Sequence, residues 1–386
     1  MDKQISCLTA REKERRPTLR FERLKEGFVS LRQPNTRTSI AAGPRAVATA
    51  TGELLCSYIV QSSLGINEFV PTLSRSKDGG ETWQEQGPLW PHLQTTHSLF
   101  ASISRADSGQ LFVYGSSTPI TQSGETFWSD ATQGLKQNQL FWANSKDNGR
   151  SWTEPQPIPL PIPGAAEAPG PLCVTRKGRW VACYAPYNTF DPNVSVDRGQ
   201  VVSIASDDEG ISWQHTSMLR FPQPDAGGAE AWVIQLTDGR LLGTSWHLDH
   251  RGETEYPNAY ALSLDEGKTW LPTRSTGIKG QSTALAALPG GRALFVHNRR
   301  KEGEAGVWMS VVKPTAEDFG VQHSDVVWRA ESPTQTGTSG EHMEWTDFAF
   351  GEPSVVDLSD QTLLVTFWCV QPSGRGVGYV KLRIVD

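Results

Sequence analysis

Four octapeptides of one pattern punctuate the chain: SKDGGETW at 76–83, SKDNGRSW at 145–152, SDDEGISW at 206–213 and SLDEGKTW at 263–270. Their starts lie 69, 61 and 57 residues apart. That recurrence requires a repeat array whose units carry loops of different length. The pattern S-x-D-x-G-x-(S/T)-W reads as a hairpin turn. An Asp carboxylate accepts N–H bonds inside a tight turn. Gly supplies positive φ at little steric cost. The closing Trp starts the next strand and anchors the turn on a neighbouring sheet. Nothing in the octapeptide gathers ligands from separate segments, so its role is structural.

Each octapeptide follows a pair of apolar strands joined by a polar turn. Six such pairs are found: PRAVATATGELLCSYI (44–59), SLFASISRADSGQLFVYG (98–115), PLCVTRKGRWVACYAP (171–186), EAWVIQLTDGRLLGTSW (230–246), TALAALPGGRALFVHN (283–298) and EPSVVDLSDQTLLVTFWCV (352–370). These are strand signals bounded by Gly and Asp turns. The fifth unit has SVVKPTAEDFG (310–320) where an octapeptide is due. The sixth ends on VGYVKLRIVD, a third strand without a fourth. The expected architecture is all-β: a six-bladed β-propeller whose incomplete last blade is closed by an N-terminal strand, EGFVSLRQ (26–33). Closure of that kind leaves only short, protected edges. Residues 1–24 read as a charged extension or short helix, and 25–386 as one propeller. The Pro-rich 153–170 joins two blades, since the repeat continues on both sides.

Composition narrows the partners. A net charge of −6 argues against nucleic acid. No run has the length of a membrane helix, so no membrane partner is expected. The charged N-terminus has no apolar core of a secretory signal. Five cysteines without C-x-x-C spacing read as reduced thiols. The expected location is therefore cytoplasmic. No phosphate-binding loop, H-E-x-x-H or G-x-S-x-G motif is present, and the reading requires no cofactor and no metal. The spacing His247-x-x-His250 beside Asp249 has no supporting ligands elsewhere in the sequence. Oligomeric state is not legible.

The octapeptide resembles the Asp-box, or BNR, repeat of the sialidase superfamily, where it closes the hairpin between the third and fourth strands of a blade, away from the active site. The resemblance extends over about residues 40–386 as a blade pattern. It implies the propeller fold and a carbohydrate substrate, and says little about which sugar.

A propeller gathers the starts of its innermost strands around one rim. The residues there are Arg45, His97, Glu167, Glu230, Gln281 and Glu352, with a polar lead-in, Glu341 to Asp347, before the last. Glu230 and Glu352 both stand six residues before a Leu that ends the strand, Leu236 and Leu358, so they occupy equivalent positions in two blades. Carboxylates brought together raise at least one pKa, which creates an acid and a base in one site. Glu230 is the expected base or nucleophile and Glu352 the acid, with Asp347 and Glu167 as substitutes. Arg45, Trp246 and His247 are expected to bind substrate, with Gln281 beside them. His97 and His297 are expected to bind substrate as well, and are candidate proton carriers.

The resemblance implies more that this chain lacks. The family's first-blade Arg falls at Ala42-Gly43-Pro44, with Arg45 displaced. Glu230 matches the family Glu. The nucleophilic Tyr falls at Glu352 or Phe350. The acid/base loop offers only Asn67 and Glu68. The remaining arginines fall near Trp246–Arg251 and at Arg299, Arg300 or Arg375. With the arginine triad and the Tyr not recognisable, the expected activity is an exo-acting glycoside hydrolase that uses rim carboxylates. A non-catalytic carbohydrate-binding propeller and a uronic-acid polysaccharide lyase stand as alternatives.

Overall fold

The computed structural model describes residues 19–251, 254–336, 345–359 and 361–385. Its strands form six antiparallel sheets set around an axis. Blade 6 contains β1 (Arg20–Leu31), whose other strands come last in the chain. Blade 1 is β2 (Ile40–Ala48), β3 (Leu54–Gln61), β4 (Val70–Ser76) and β5 (Gln84–Pro88). Blade 2 is β6 (His97–Arg105), β7 (Leu111–Pro119), β10 (Gln139–Ser145) and β11 (Gln156–Ile158), with a small hairpin, β8 (Trp128–Ser129) and β9 (Gly134–Leu135), inserted after β7. In blade 3 the inner strand is split into β12 (Ala165–Glu167) and β13 (Cys173–Val174), both paired to β14 (Trp180–Tyr187); β15 (Gln200–Ser206) and β16 (Gln214–Arg220) follow. Blade 4 is β17 (Ala226–Gln235), β18 (Leu241–Asp249), β19 (Ala259–Ser263) and β20 (Arg274–Ser275). Blade 5 is β21 (Gln281–Leu288), β22 (Arg292–Arg299), β23 (Gly306–Val312) and β24 (Val321–Arg329). Blade 6 is completed by β25 (Phe350–Ser359), β26 (Thr362–Gln371) and β27 (Gly374–Val385).

The ring closes as the sequence predicts, with β1 as the outermost strand of blade 6. Its register runs from Arg20 opposite Val385 to Leu31 opposite Gly376. The closing strand therefore begins earlier than expected: residues 20–24 belong to the sheet and not to an extension. Apolar side chains alternate into this ladder, as with buried Val29, which packs with Val377 and Tyr379. The lead-in segment Glu341–Glu344 lies outside the described residues. Cys56, Cys173, Cys183 and Cys369 are free thiols.

All four octapeptides close the hairpin from third to fourth strand. In the first, the Ser76 hydroxyl donates to Asp78 Oδ1 (2.7 Å) and accepts the Gly80 N–H (2.8 Å). Asp78 in turn accepts from the Thr82 N–H (2.9 Å) and hydroxyl (2.5 Å). Asp147, Asp208 and Asp265 repeat these bonds with Ser151, Ser212 and Thr269. Donors clustered on the carboxylates hold all four acids below the usual range, Asp208 at about 2. Trp213 lies 6.4 Å from Trp180 of its own blade and packs in a cluster that includes Trp142 of blade 2. The fifth hairpin uses different bonds, Lys313 N–H to Gly320 O and Thr315 N–H to Asp318 O.

Candidate active site

The site is built from a backbone irregularity shared by four inner strands. β2, β17, β21 and β25 each slip register near their start, between Ala42 and Arg45, Ala229 and Trp232, Gln281 and Ala284, and Gly351 and Ser354; β25 slips again between Asp357 and Ser359. These are β-bulges, which re-aim local groups. In every one a single residue adopts left-handed backbone: Gly43 (φ 59°), Glu230 (φ 50°), Ser282 (φ 62°) and Glu352 (φ 44°). Only the first is glycine. Holding a Glu there costs about 1–2 kcal/mol, a strain that marks sites of function. β6 of blade 2 passes through without a bulge.

The bulges turn N–H groups sideways, toward a carboxylate of the preceding blade. Glu352 Oε2 of blade 6 accepts the Gly43 N–H of blade 1 (2.9 Å). Glu167 Oε2 of blade 3 accepts the Glu230 N–H of blade 4 (2.9 Å). The Glu230 carboxylate faces the N–H and hydroxyl of Ser282 in blade 5; the hydroxyl itself makes no hydrogen bond of full geometry. Three carboxylates thus reach across three blade boundaries into one centre. Each is half-buried: ringed by protein, with part of its surface still open.

Two arginines sit among them. Arg45 is buried and donates to three backbone carbonyls: Pro44 (2.9 Å), Glu352 (3.0 Å) and Pro169 (3.1 Å). Its guanidinium lies 4.9 Å from the ring centre of Trp232. Arg300, also buried, donates to Phe350 O and to Gln281 Oε1. Both cations are committed to protein acceptors, and both act on the carboxylates through charge.

The electrostatics separate the three acids. Burial, then the charges of Glu230 and Glu352, push Glu167 well above the usual carboxylate range. Burial and the Glu230 charge push Glu352 up to about 7. Burial raises Glu230 too, but Ser282, Arg300 and Arg45 oppose the rise. For Glu230 the causes that follow burial all favour the charged form, whereas for Glu167 and Glu352 the largest cause after burial is the negative charge of Glu230. That is an acid–base pairing set by environment.

Of the residues singled out in the sequence, Glu167, Glu230, Glu352, Arg45 and Gln281 come together, Gln281 by orienting Arg300. Trp246 is half-buried and pairs with Ala229, one residue before Glu230. The others do not join. Asp347 accepts the Thr336 N–H (3.1 Å) and hydroxyl (2.6 Å) at the blade 6 lead-in. His97 starts the unbulged strand, and its Nδ1 meets Thr96 Oγ1 at 3.0 Å. His247 is stacked between Phe221 (4.5 Å) and Tyr256 (4.3 Å), and burial lowers its pKa to about 4. His297 has no exposed surface and stacks on Phe295, and burial lowers it to about 3. Both rings are buried core groups: neither is open to substrate, and His297 is not a proton carrier. Asn67 bonds Pro119 O and Glu125, and Glu68 bonds Ser62. Arg251 pairs with Asp225, and Arg299 lies over Trp308 at 3.8 Å. Among the described residues no group of three or more His, Cys, Asp or Glu is placed to hold a metal ion.

Residues missed in the sequence are Ser282, the left-handed partner of Glu230, and Tyr187, whose strand position opposite Ala165 sets it two residues from Glu167. The only signal for Ser282 was its alignment with Glu230 and Glu352 as third residue before the strand's apolar run.

The BNR repeat-like domain family matches residues 103–336, a span that includes Glu167 and Glu230 but neither Arg45 nor Glu352. A sialidase of Bacteroides fragilis (strain YCH46) is 25% identical over 268 residues, 64% of this chain and 46% of that protein; the chain thus spans under half of its length. A crystal structure of a protein of unknown function from Dyadobacter fermentans superposes with TM-score 0.71 at 18% identity, over 96% of this chain and 100% of that one. The α-L-arabinofuranosidase Arb93A of Fusarium graminearum, in complex with an iminosugar inhibitor, gives TM-score 0.62 at 16% identity, over 94% and 98% of the two chains. The chain belongs to the BNR repeat-like domain family, within the sialidase superfamily.

Proposed function

We propose that the protein is an exo-acting glycoside hydrolase that cleaves a neutral sugar from a glycan, with Glu230 as base or nucleophile and a proton donated by Glu352 or Glu167. The observation that carries this is the convergence of three carboxylates beside two buried arginines, whose charges favour the ionised form of Glu230. Glycosidic cleavage needs one carboxyl to protonate the leaving oxygen and one carboxylate opposite it. A neutral sugar is favoured because Arg45, Arg251, Arg299 and Arg300 are all engaged by protein groups, which leaves Arg375 alone of the arginines read from the sequence, short of a clamp of three for a sialic-acid carboxylate. The arabinofuranosidase relative, which matches this chain almost end to end, supports the same sugar class.

The test is hydrolysis of a panel of aryl glycosides, with an α-L-arabinofuranoside and a sialoside included, beside Glu230→Gln. Release of a neutral sugar, abolished in the variant, is expected. Comparing activated and poor leaving groups in Glu167→Gln and Glu352→Gln then identifies the acid, since loss of the acid spares the activated leaving group. Cleavage of the sialoside, or full activity of Glu230→Gln, overturns the reading. Release of an unsaturated product would instead favour a lyase.

A further inference from the structure

One wall of the site is made of aromatic rings from four blades. The 120–138 insertion of blade 2 is clamped onto the blade 1 loop: Phe127 N–H donates to Gly65 O (3.2 Å), and Asn67 N–H to Glu125 O (2.8 Å). The lead-in to blade 6 arrives at the same point, where the Trp345 ring lies 5.4 Å from Phe127 and 6.4 Å from Trp128. From there the rings continue in two directions. Phe127 meets Phe69 (5.0 Å), which meets Phe100 (6.5 Å). Trp128 meets Tyr187 (6.2 Å). Both ends reach the carboxylates. Phe100 packs against Gly43, whose N–H Glu352 holds. Tyr187 stands two ladder positions from Glu167.

These rings differ from the core aromatics. Tyr58, Tyr114, Phe112 and Phe295 are fully covered, whereas Phe127, Trp128 and Trp345 are half-buried. The Trp128 indole N–H is turned to Asp130 Oδ1 (2.9 Å), a local bond that fixes the ring without covering it. Rigid aromatic faces bind with little loss of side-chain entropy and present a hydrophobic plane with a polar edge. The C–H face of a sugar ring is the complementary surface.

Building on the hydrolase reading above, we propose that Trp128 and Trp345 form a platform for the sugar next to the one held over the carboxylates, so that the substrate is an oligosaccharide chain end. The wall is continuous with the carboxylate centre, and its two ends bracket Glu352 and Glu167. A bound chain then lies with one sugar in the centre and the next on the indoles.

Binding, measured calorimetrically in a Glu230→Gln background, separates this from catalysis. The probes are neutral mono- to tetrasaccharides, with arabinose and arabinobiose among them. At least one disaccharide should bind about tenfold more tightly than its monosaccharide. Trp128→Ala should abolish that gain and leave the monosaccharide affinity unchanged, and Trp128→Phe should keep part of it. Trp345→Ala provides a second, independent loss. Equal affinity for mono- and disaccharides, or a gain that survives both alanine variants, overturns the platform. Failure of the hydrolase reading shows differently: oligosaccharides bind, yet the wild-type protein cleaves none of them.

Discussion

Replacing Glu352 by Gln should stabilise the protein at pH 8 while impairing it as an enzyme. The Glu352 carboxyl is raised from 4.5 to about 7 by burial and by the charge of Glu230. A raised folded-state pKa means that the folded protein holds the proton more tightly than the unfolded chain. The associated stability is complete below about 4.5 and is lost as pH rises through about 7. At roughly 1.4 kcal/mol per pH unit, the loss by pH 8 is at most about 3 kcal/mol. Glu230 and Glu352 titrate as a pair, so roughly 1–3 kcal/mol is expected for this one substitution. Gln keeps an oxygen to accept the Gly43 N–H and carries no charge to desolvate. In a chain of this length the gain corresponds to a rise in Tm of about 1–4 °C. The assay is thermal unfolding of wild type and Glu352→Gln at pH 5 and pH 8. The wild type should lose stability relative to the variant between the two. A difference independent of pH, or a variant less stable at pH 8, would show that Glu352 is not strained by its surroundings.

Arg300→Met removes a cation that lowers both Glu230 and Glu352; the acidic limb of kcat/KM should move to higher pH by about one unit, with Arg300→Lys intermediate. Gly210→Ala places a Cβ 2.8 Å from Trp142 on left-handed backbone (φ 86°) and should cost about 1–3 kcal/mol beyond the turn strain. Gly239→Ala, with the same backbone hand and nothing within 4 Å, should cost only about 1–2 kcal/mol; chemical denaturation compares the two. Removing residues 1–31 exposes one edge of β27 over its length, and size-exclusion chromatography should then show association of the truncated protein. Asp147→Ala takes away the acceptor of the Arg150 and Ser151 N–H groups, and those amides should exchange with solvent faster than their counterparts in the other hairpins.

The fold was legible because its signals are local. Each Ser–Asp–Gly–Trp turn carries its own bonds within eight residues, so its geometry does not depend on the rest of the ring. The equivalence of Glu230 and Glu352 was legible too, because both stand six residues before a Leu, although a second slip takes Leu358 itself out of the ladder. His297 should have been set aside by the same logic: it follows Phe295 by two residues in a strand, and period-two alternation sends both to one covered face. Asp347 was misplaced because proximity in sequence to Glu352 says nothing about a lead-in that folds back onto Thr336. The resemblance offers Arg300 only as one of several candidate arginines, because its reach depends on Phe350 O and Gln281, supplied by blade 6 and by a separate strand of blade 5. Bulges escape sequence reading at Ser282 and Glu352, since neither residue type favours left-handed backbone.

The pairing of each carboxylate with the bulge of the following blade makes the site an interlock. Glu352 finds its N–H only once blade 6 has met blade 1, and that meeting is the step that seals the ring. Fragments of one to five blades therefore lack a competent centre even when their sheets are intact. On the proposed function, chemistry in this architecture would be a report on assembly: a molecule that has not closed would also be a molecule that does not react.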